Sequence, residues 1–314
     1  PPAAAAGPLR AIREAGGPAP LPPALREALR RGLKAWSERQ TGDTAAEQRI
    51  MAELRALLTP EDAPAIARTL TPEQLDTPFG QEVLKSWLQT DTPAAAAWIA
   101  AHPDPSEIQA LLIARQWLQA PDKLGAFCDR LPDTGWKQTL LSTAGREALA
   151  ADPAVAVSFA RRMDPGPVQT DTLETIAWGW ISRDSSAATT WISQIPDPAQ
   201  REQLAAVAAR AIALTDPDLA AGWLASSVKS PALLNATSLS LAQIWAGENP
   251  AQAAEWSTKI ADPATRQAAI NQVAKQWMEA DTAAAEAWIR RRPEAPAIIS
   301  ALEAEQAAGD LADP

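Results

Sequence analysis

Tyrosine is absent from this 314-residue chain, phenylalanine occurs three times, and there is one cysteine and one histidine. A lone Cys128 excludes an intrachain disulfide, a CxxC motif and a cysteine-built zinc site. A lone His102 excludes HExxH chemistry and any multi-histidine metal cluster. No uninterrupted apolar run approaches the ~18 residues that a spanning helix needs. Positive charge is scarce too: 28 Lys/Arg against 38 Asp/Glu leave a net −10. That field repels phosphate and argues against nucleic acid as a partner. No GxSxG, GxGxxG or GxxxxGK motif occurs, so nothing points to a cofactor.

What the chain does have is tryptophan, 13 copies, and proline, 28. The tryptophans recur in a fixed setting: "WLQTDTPAAAAW" at 87–98, "WISRDSSAATTW" at 180–191, "WAGENPAQAAEW" at 245–256 and "WMEADTAAAEAW" at 277–288. The position four after the first Trp gives Asp91, Pro121, Asp152, Asp184, Asp216, Asn249 and Asp281, spaced by 30, 31, 32, 32, 33 and 32 residues. Near-constant spacing means a tandem array. An eighth, degraded copy is expected near Pro60.

An Asp or Asn followed by Pro, Thr or Ser reads as a helix N-cap, because the side chain accepts from free N–H groups of the first turn and Pro is already set to helical φ. The helix so started, helix A, has a small residue four past the cap and a bulky one seven past it: Trp98, Cys128, Phe159, Trp191, Trp223, Trp256, Trp288. Those offsets share one face, the expected core side. A second break follows, with Asp133, Asp197, Ser230 and Asp262 as expected caps of a longer helix B. That helix carries an invariantly small column (Ala114, Gly145, Ala177, Ala209, Ala242, Ala274) and, three residues on, Trp117, Ala148, Trp180, Ile212, Trp245 and Trp277. The first Trp then ends helix B, the Asp caps the next helix A, and the second Trp closes that helix's inner face. A two-helix unit cannot bury its own apolar face, whereas stacked units share a core, so the sequence predicts an all-α, right-handed α-solenoid.

The unit resembles the tetratricopeptide (TPR) type of helical repeat, two antiparallel helices in ~34 residues, with a small residue three before an aromatic in helix A (Ala188 and Trp191, Ala285 and Trp288) and a small residue inside helix B (Ala209, Ala274). It covers about 60–290. The chain has no W-x2-L-G-x2-Y signature and places Pro just after the helix A cap, so Sel1-like or HEAT-like packing are near alternatives. The resemblance implies a protein-binding scaffold, with helix A lining the concave surface.

Outside the array, residues 1–23 hold seven Pro and read as a linker. Residues 24–59 read as capping helices, with Leu25, Leu29, Leu33 and Trp36 on one stripe, Arg26, Arg30, Arg31 and Lys34 mostly off it, and Asp43 capping a further helix. Residues 291–314 read as a last, increasingly polar helix and tail. The first 40 residues carry seven Lys/Arg against three Glu. The chain begins "PPAAAAGPLR" without methionine, so a processed start is expected, with a signal peptide and an anchor as the open readings of what preceded it. With the Pro/Ala tether, this favours the periplasm or cell envelope slightly over the cytoplasm.

Two columns do not look like core. Arg115, Arg146, Trp178, Arg210, Gln243 and Lys275 fall on the side of helix B away from its apolar face. Arg130, Arg161, Ser193 and Arg290 form a weaker column on helix A. Arg and exposed Trp suit carboxylates and peptide backbones; equally, these cations form a solvated face paired with neighbouring acids. Helix A is otherwise expected to present a smooth wall (Ala96, Ala97, Thr189, Thr190, Ala221, Gly222). His102 reads as a turn histidine, Cys128 as a buried apolar thiol, and Asp91, Asp184, Asp216 and Asp281 as structural caps. Asn235 heads a glycosylation sequon placed inside a helix. The leading expectation is a non-enzymatic protein- or peptide-binding scaffold. A structural spacer is the alternative, and an enzyme or accessory helical domain acting on glycans, with Glu174 and Glu286 as its off-register acids, is a third.

Overall fold

A computed structural model describes residues 22–37, 48–49, 52, 55–56, 58–102 and 104–310. Of the helix expected after Asp43, residues 48–49, 52 and 55–56 are described and are helical; its other residues up to 57, the Pro-rich segment 1–21, and the side chains of Leu33 and Trp36 lie outside the described residues. Among those described, all regular structure is helical. It divides into two compact units, one ending at Asp164 and one beginning at Pro165.

The earlier unit contains α1 (Pro23–Ser37), α2 (Ala63–Ala67), α3 (Pro72–Leu75), α4 (Pro78–Thr90), α5 (Thr92–Ala100), α6 (Glu107–Gln116), α7 (Pro121–Arg130), α8 (Gly135–Leu149) and α9 (Pro153–Ala160). The later unit contains α10 (Pro167–Ile181), α11 (Ser185–Ser193), α12 (Pro198–Ala213), α13 (Pro217–Ser227), α14 (Pro231–Glu248), α15 (Pro250–Ser257), α16 (Pro263–Ala280), α17 (Thr282–Ile289) and α18 (Ala295–Asp310). In each, long B-type helices pack in sequence order, α4 on α6 on α8 and α10 on α12 on α14 on α16 on α18. Short A-type helices lean on the B helices that flank them, as α13 does on α12 and α14.

The W-x3-D spacing has a simple physical cause. The backbone N–H of the Asp or Asn donates to the carbonyl of the Trp four residues back, completing the last turn of helix B: Asp91 to Trp87 at 2.8 Å, Asp184 to Trp180 at 2.8 Å, Asn249 to Trp245 at 2.8 Å and Asp281 to Trp277 at 2.7 Å. Its side chain meanwhile accepts from the third N–H of the next helix, at 3.1 Å in Asp91, 2.9 Å in Asp184 and Asp216, and 3.0 Å in Asp281. In Asp91, Asn249 and Asp281 one residue is both the C-cap of one helix and the N-cap of the next. Each such cap contributes about 1 kcal/mol.

Seven residues past the cap is two turns along helix A, which sets the second tryptophan against the first. Ring centroids lie 5.4 Å apart for Trp87 and Trp98 and for Trp180 and Trp191, and 5.9 Å for Trp245 and Trp256 and for Trp277 and Trp288. The small column on helix B is buried throughout (Ala114, Gly145, Ala177, Ala209, Ala242, Ala274) and lets neighbouring helices approach. The core of the last repeats joins Ala242, Trp245, Ala253, Val273 and Trp277. Beyond it, Ile298 of α18 closes on Ile270, Ala274 and Ile289. At the other end α1 buries Leu25, Ala28 and Leu29 and exposes Arg26, Arg30, Arg31 and Lys34, as its stripe predicts.

Two expected caps are displaced, and a third holds its place without a side-chain bond. Pro121 is not a cap but the first residue of α7, and the cap is Ala120, which has no side-chain acceptor. Helix α6 stops one residue before Trp117, and Ala120 N–H reaches the Trp117 carbonyl three residues back at 2.8 Å. That one-residue contraction brings Phe127, not Cys128, onto Trp117, with ring centroids 5.2 Å apart. Asp133 yields to Thr134, whose hydroxyl accepts from Lys137 N–H at 3.3 Å, while the Asp133 carboxylate takes the Lys137 ammonium at 2.6 Å. Ser230 holds the cap position of α14 without a side-chain bond.

The degraded copy near Pro60 is α2 with α4, joined by the short α3. Here Gly80 is required by close approach. A β-carbon on it would sit 2.2 Å from the Gln74 carbonyl oxygen and 2.5 Å from the Leu75 Cα. Backbone cannot yield as a side-chain tip can.

Candidate functional site

The cation column on helix B is engaged in the earlier unit. Arg115 Nε donates to Glu147 Oε2 at 2.7 Å, and Arg146 Nη2 to Glu107 Oε1 at 2.6 Å, so two arginines of adjacent helices reach across to each other's acids. The Glu147 carboxylate raises the Arg115 pKa above its usual value. Exposed pairs of this kind hold ≲ 1 kcal/mol each, and salt screens them. Arg130, at the end of α7, and Arg161, the C-cap of α9, are both exposed. In the later unit Trp178 is 39% exposed on α10. Arg210 on α12 is half-buried, whereas Gln243 on α14 and Lys275 on α16 are exposed. These residues mark successive helices.

Residues considered for chemistry have structural partners. His102 sits past the end of α5, its ring edge-on to Trp98 with centroids 5.3 Å apart. Cys128 is fully buried, and that burial, with Asp129 adding to it, pushes its thiol up to about 12, so it is uncharged at neutral pH. Glu174 accepts from Gln203 Nε2 at 2.8 Å. Glu286 pairs with Arg290 on its own helix. Asn235 is half-buried inside α14. Among the described residues no group of three or more His, Cys, Asp or Glu is placed to hold a metal, and no helix is long and apolar enough to cross a membrane.

The smooth helix A wall needs correction. Ala96 is buried, while Trp98, Trp191, Trp223, Trp256 and Trp288 are each half-buried. In the later unit two grooves open beside such tryptophans, on either side of α13. The first, of about 310 Å³, lies between α11 and α13 over the start of α12, and is lined by Ser193, Arg201, Glu202, Trp223, Ser226 and Lys229. The second, of about 330 Å³, lies between α13 and α15 and is lined by Asp218, Trp245, Gln252, Glu255, Trp256 and Lys259. Between them the exposed face of α13 is low: Gly222 has open space where a β-carbon would stand, and Ala225 is exposed.

The first groove is built from anchored groups. Trp223 Nε1 donates to the Ala205 carbonyl at 3.0 Å, fixing the indole. Arg201 Nη1 donates to the carbonyls of Ile195 at 2.6 Å and Pro196 at 3.4 Å, which pins the guanidinium at the groove edge. Glu202 accepts the Ser230 N–H at 2.8 Å, and Lys229 Nζ donates to the Ala225 carbonyl at 3.3 Å. Arg266 repeats the Arg201 device on the carbonyls of Ile260 and Ala261. Sequence reasoning missed both arginines, although the shared spelling I-x-D-P-x-x-R at 195–201 and 260–266 marks them. In the last repeat the counterpart space is occupied: Arg292 covers the Trp288 ring at 4.6 Å and pairs with Glu255, which also accepts from Trp288 Nε1 at 3.1 Å.

Comparison with family models, with curated proteins and with solved structures finds no match for this chain.

Proposed function

We propose that the chain is a non-enzymatic scaffold that binds a protein or peptide along a TPR-like α-solenoid. One observation carries the reading: tryptophans at the repeat period are half-exposed on the A helices, and two of them, Trp223 and Trp256, wall open grooves. A tryptophan needed only as core filling is cheapest when wholly buried, as Trp87 and Trp245 are. A rigid indole held open beside charged groups is the composition of binding hot spots.

Gly222→Glu tests this without touching the core, since that position is exposed and unopposed. Cross-linking capture of partners by wild-type protein should lose its specific partner in Gly222→Glu and keep it in Arg115→Glu/Arg146→Glu, with helix content equal in all three. Loss only in the arginine variant moves the binding face to the B helices. The spacer reading is supported by the ion-paired state of Arg115 and Arg146, and predicts the same retained set in every variant.

A further inference from the structure

In the last repeat the chain supplies its own ligand for a tryptophan. The Arg292 guanidinium lies over the Trp288 ring at 4.6 Å and pairs with Glu255 of the preceding A helix, whose carboxylate also accepts the Trp288 indole N–H. Arg292 stands four residues past its A-helix tryptophan. The same position holds His102, edge-on to Trp98, but in the Trp256 repeat it holds Ile260, which is buried. No cation of the chain's own therefore covers Trp256 from there. Glu255 stands one residue before its A-helix tryptophan, and on α13 that position is Gly222. An acid is present one turn earlier on the same face of α13, where Asp218 lines the open Trp256 groove together with Glu255.

We propose that the Trp256 groove seats an arginine side chain of a bound partner, its guanidinium over the Trp256 ring and paired with Asp218 and Glu255. This deepens the scaffold reading and rests on it. Arg292 on Trp288 displays the chemistry that such a wall accepts, a planar cation over an indole face with a carboxylate at its edge. Glu255 keeps an oxygen for a second cation, because its bonds to Trp288 and Arg292 both use Oε1. Asp218 is exposed in the first turn of α13 and forms no ion pair among the described residues. Trp245, whose ring centroid lies 5.9 Å from that of Trp256, adds a second aromatic edge, and the Gln252 amide oxygen is a further acceptor. Lys259 is the one cation on this wall. Two carboxylates against it leave the groove negative, which favours an organic cation over an acid.

The test is titration of the whole chain, read at the indole N–H resonance of Trp256, which Trp256→Phe assigns. The probes are N-acetyl-argininamide, N-acetyl-citrullinamide, which has nearly the same shape without the charge, and N-acetyl-lysinamide. Expected are a saturable shift by the arginine probe with a Kd of about millimolar, the range for ligands this small, and a response to the citrulline probe about tenfold weaker. Asp218→Asn should weaken the arginine probe about threefold and Lys259→Gln should tighten it by a similar factor. Both residues are exposed, and unchanged helix content checks the fold of each variant. Opposed signs from the two are what a purely structural role would not produce. Arg292→Gln should also uncover Trp288, so that its resonance begins to answer the arginine probe; a silent Trp288 there removes the internal precedent and overturns the assignment. Equal response to the citrulline probe overturns it while leaving an uncharged peptide groove and the scaffold intact. A response to the lysine probe as strong as to the arginine one overturns arginine as the occupant. Unchanged affinity in both Asp218→Asn and Lys259→Gln overturns the role of the wall's charge. No shift by any probe overturns the subsite as well, and the scaffold then stands or falls on the capture by Gly222→Glu, which blocks the path over α13 by bulk.

Discussion

In the earlier unit neighbouring B helices are laced by exposed charge, Arg115 to Glu147 and Arg146 to Glu107, and by a polar cluster in which Asp76 accepts from the Ser106 hydroxyl at 2.6 Å and from Gln109 Nε2 at 3.1 Å. In the later unit α12 buries Leu204, Val207, Ile212 and six alanines, and its neighbours are joined mainly by close apolar contact. The same repeat thus tolerates two kinds of glue. What both units keep is the joint, a helix-ending carbonyl, a capping side chain and an aromatic pair. In the later unit, open grooves lie beside Trp223 and Trp256.

The largest effect that sharpens this contrast comes from Trp245→Ala. The ring is 5% exposed and packs on Trp256 and an alanine-rich core, so its loss costs ~3–5 kcal/mol. Hydrogen exchange should show protection falling across α13–α16 with α4–α8 unchanged; equal loss in both would make the two units one cooperative block. Gly80→Ala is the reciprocal test, expected to cost about 1–3 kcal/mol and to loosen α3 and α4 in the earlier unit only.

Cap exchange comes next. Asp281→Ala should lose about 1 kcal/mol, and Ala120→Asp should gain a similar amount by supplying the acceptor that α7 lacks. Urea midpoints measure both, and a destabilised Ala120→Asp would show that the contracted joint leaves no room for a carboxylate. Smallest is Arg115→Gln, expected to cost under ~1 kcal/mol at low salt and nothing resolvable at high salt. A salt-independent loss would mean that the arginine's stem, not its charge, holds the helices.

Much of the fold was legible because its rules are local. A cap, a proline at N1 and a Trp four residues back are adjacent in sequence, and they located the joints at Asp91, Asp184, Asp216, Asn249 and Asp281. The slip at Trp117 was announced only by a missing Asp at 121, since a proline there fits either the cap or the residue after it. Asp133 and Thr134 are both competent caps, and Lys137, which takes the Asp133 carboxylate, decides between them. The candidate site was legible only in part. Periodicity placed Trp223 and Trp256 on the inner face, but how much of an indole stays open depends on the spacing between A helices, a long-range property. Arg115 and Arg146 were expected on the side of helix B away from its apolar face, and both are exposed; their glutamate partners, 32 and 39 residues away, follow no local rule.

The residue shared between two helices at Asp91, Asn249 and Asp281 makes each of those joints a hinge without slack. An inserted residue there breaks the last bond of one helix and the first cap of the next together. The A-to-B turns instead vary from three residues at 228–230 to five at 258–262 within the later unit. Recombination of such a gene therefore has a preferred phase: cassettes cut in the A-to-B turns carry each joint intact, so copies can be added or deleted as whole B-joint-A modules of about 32 residues.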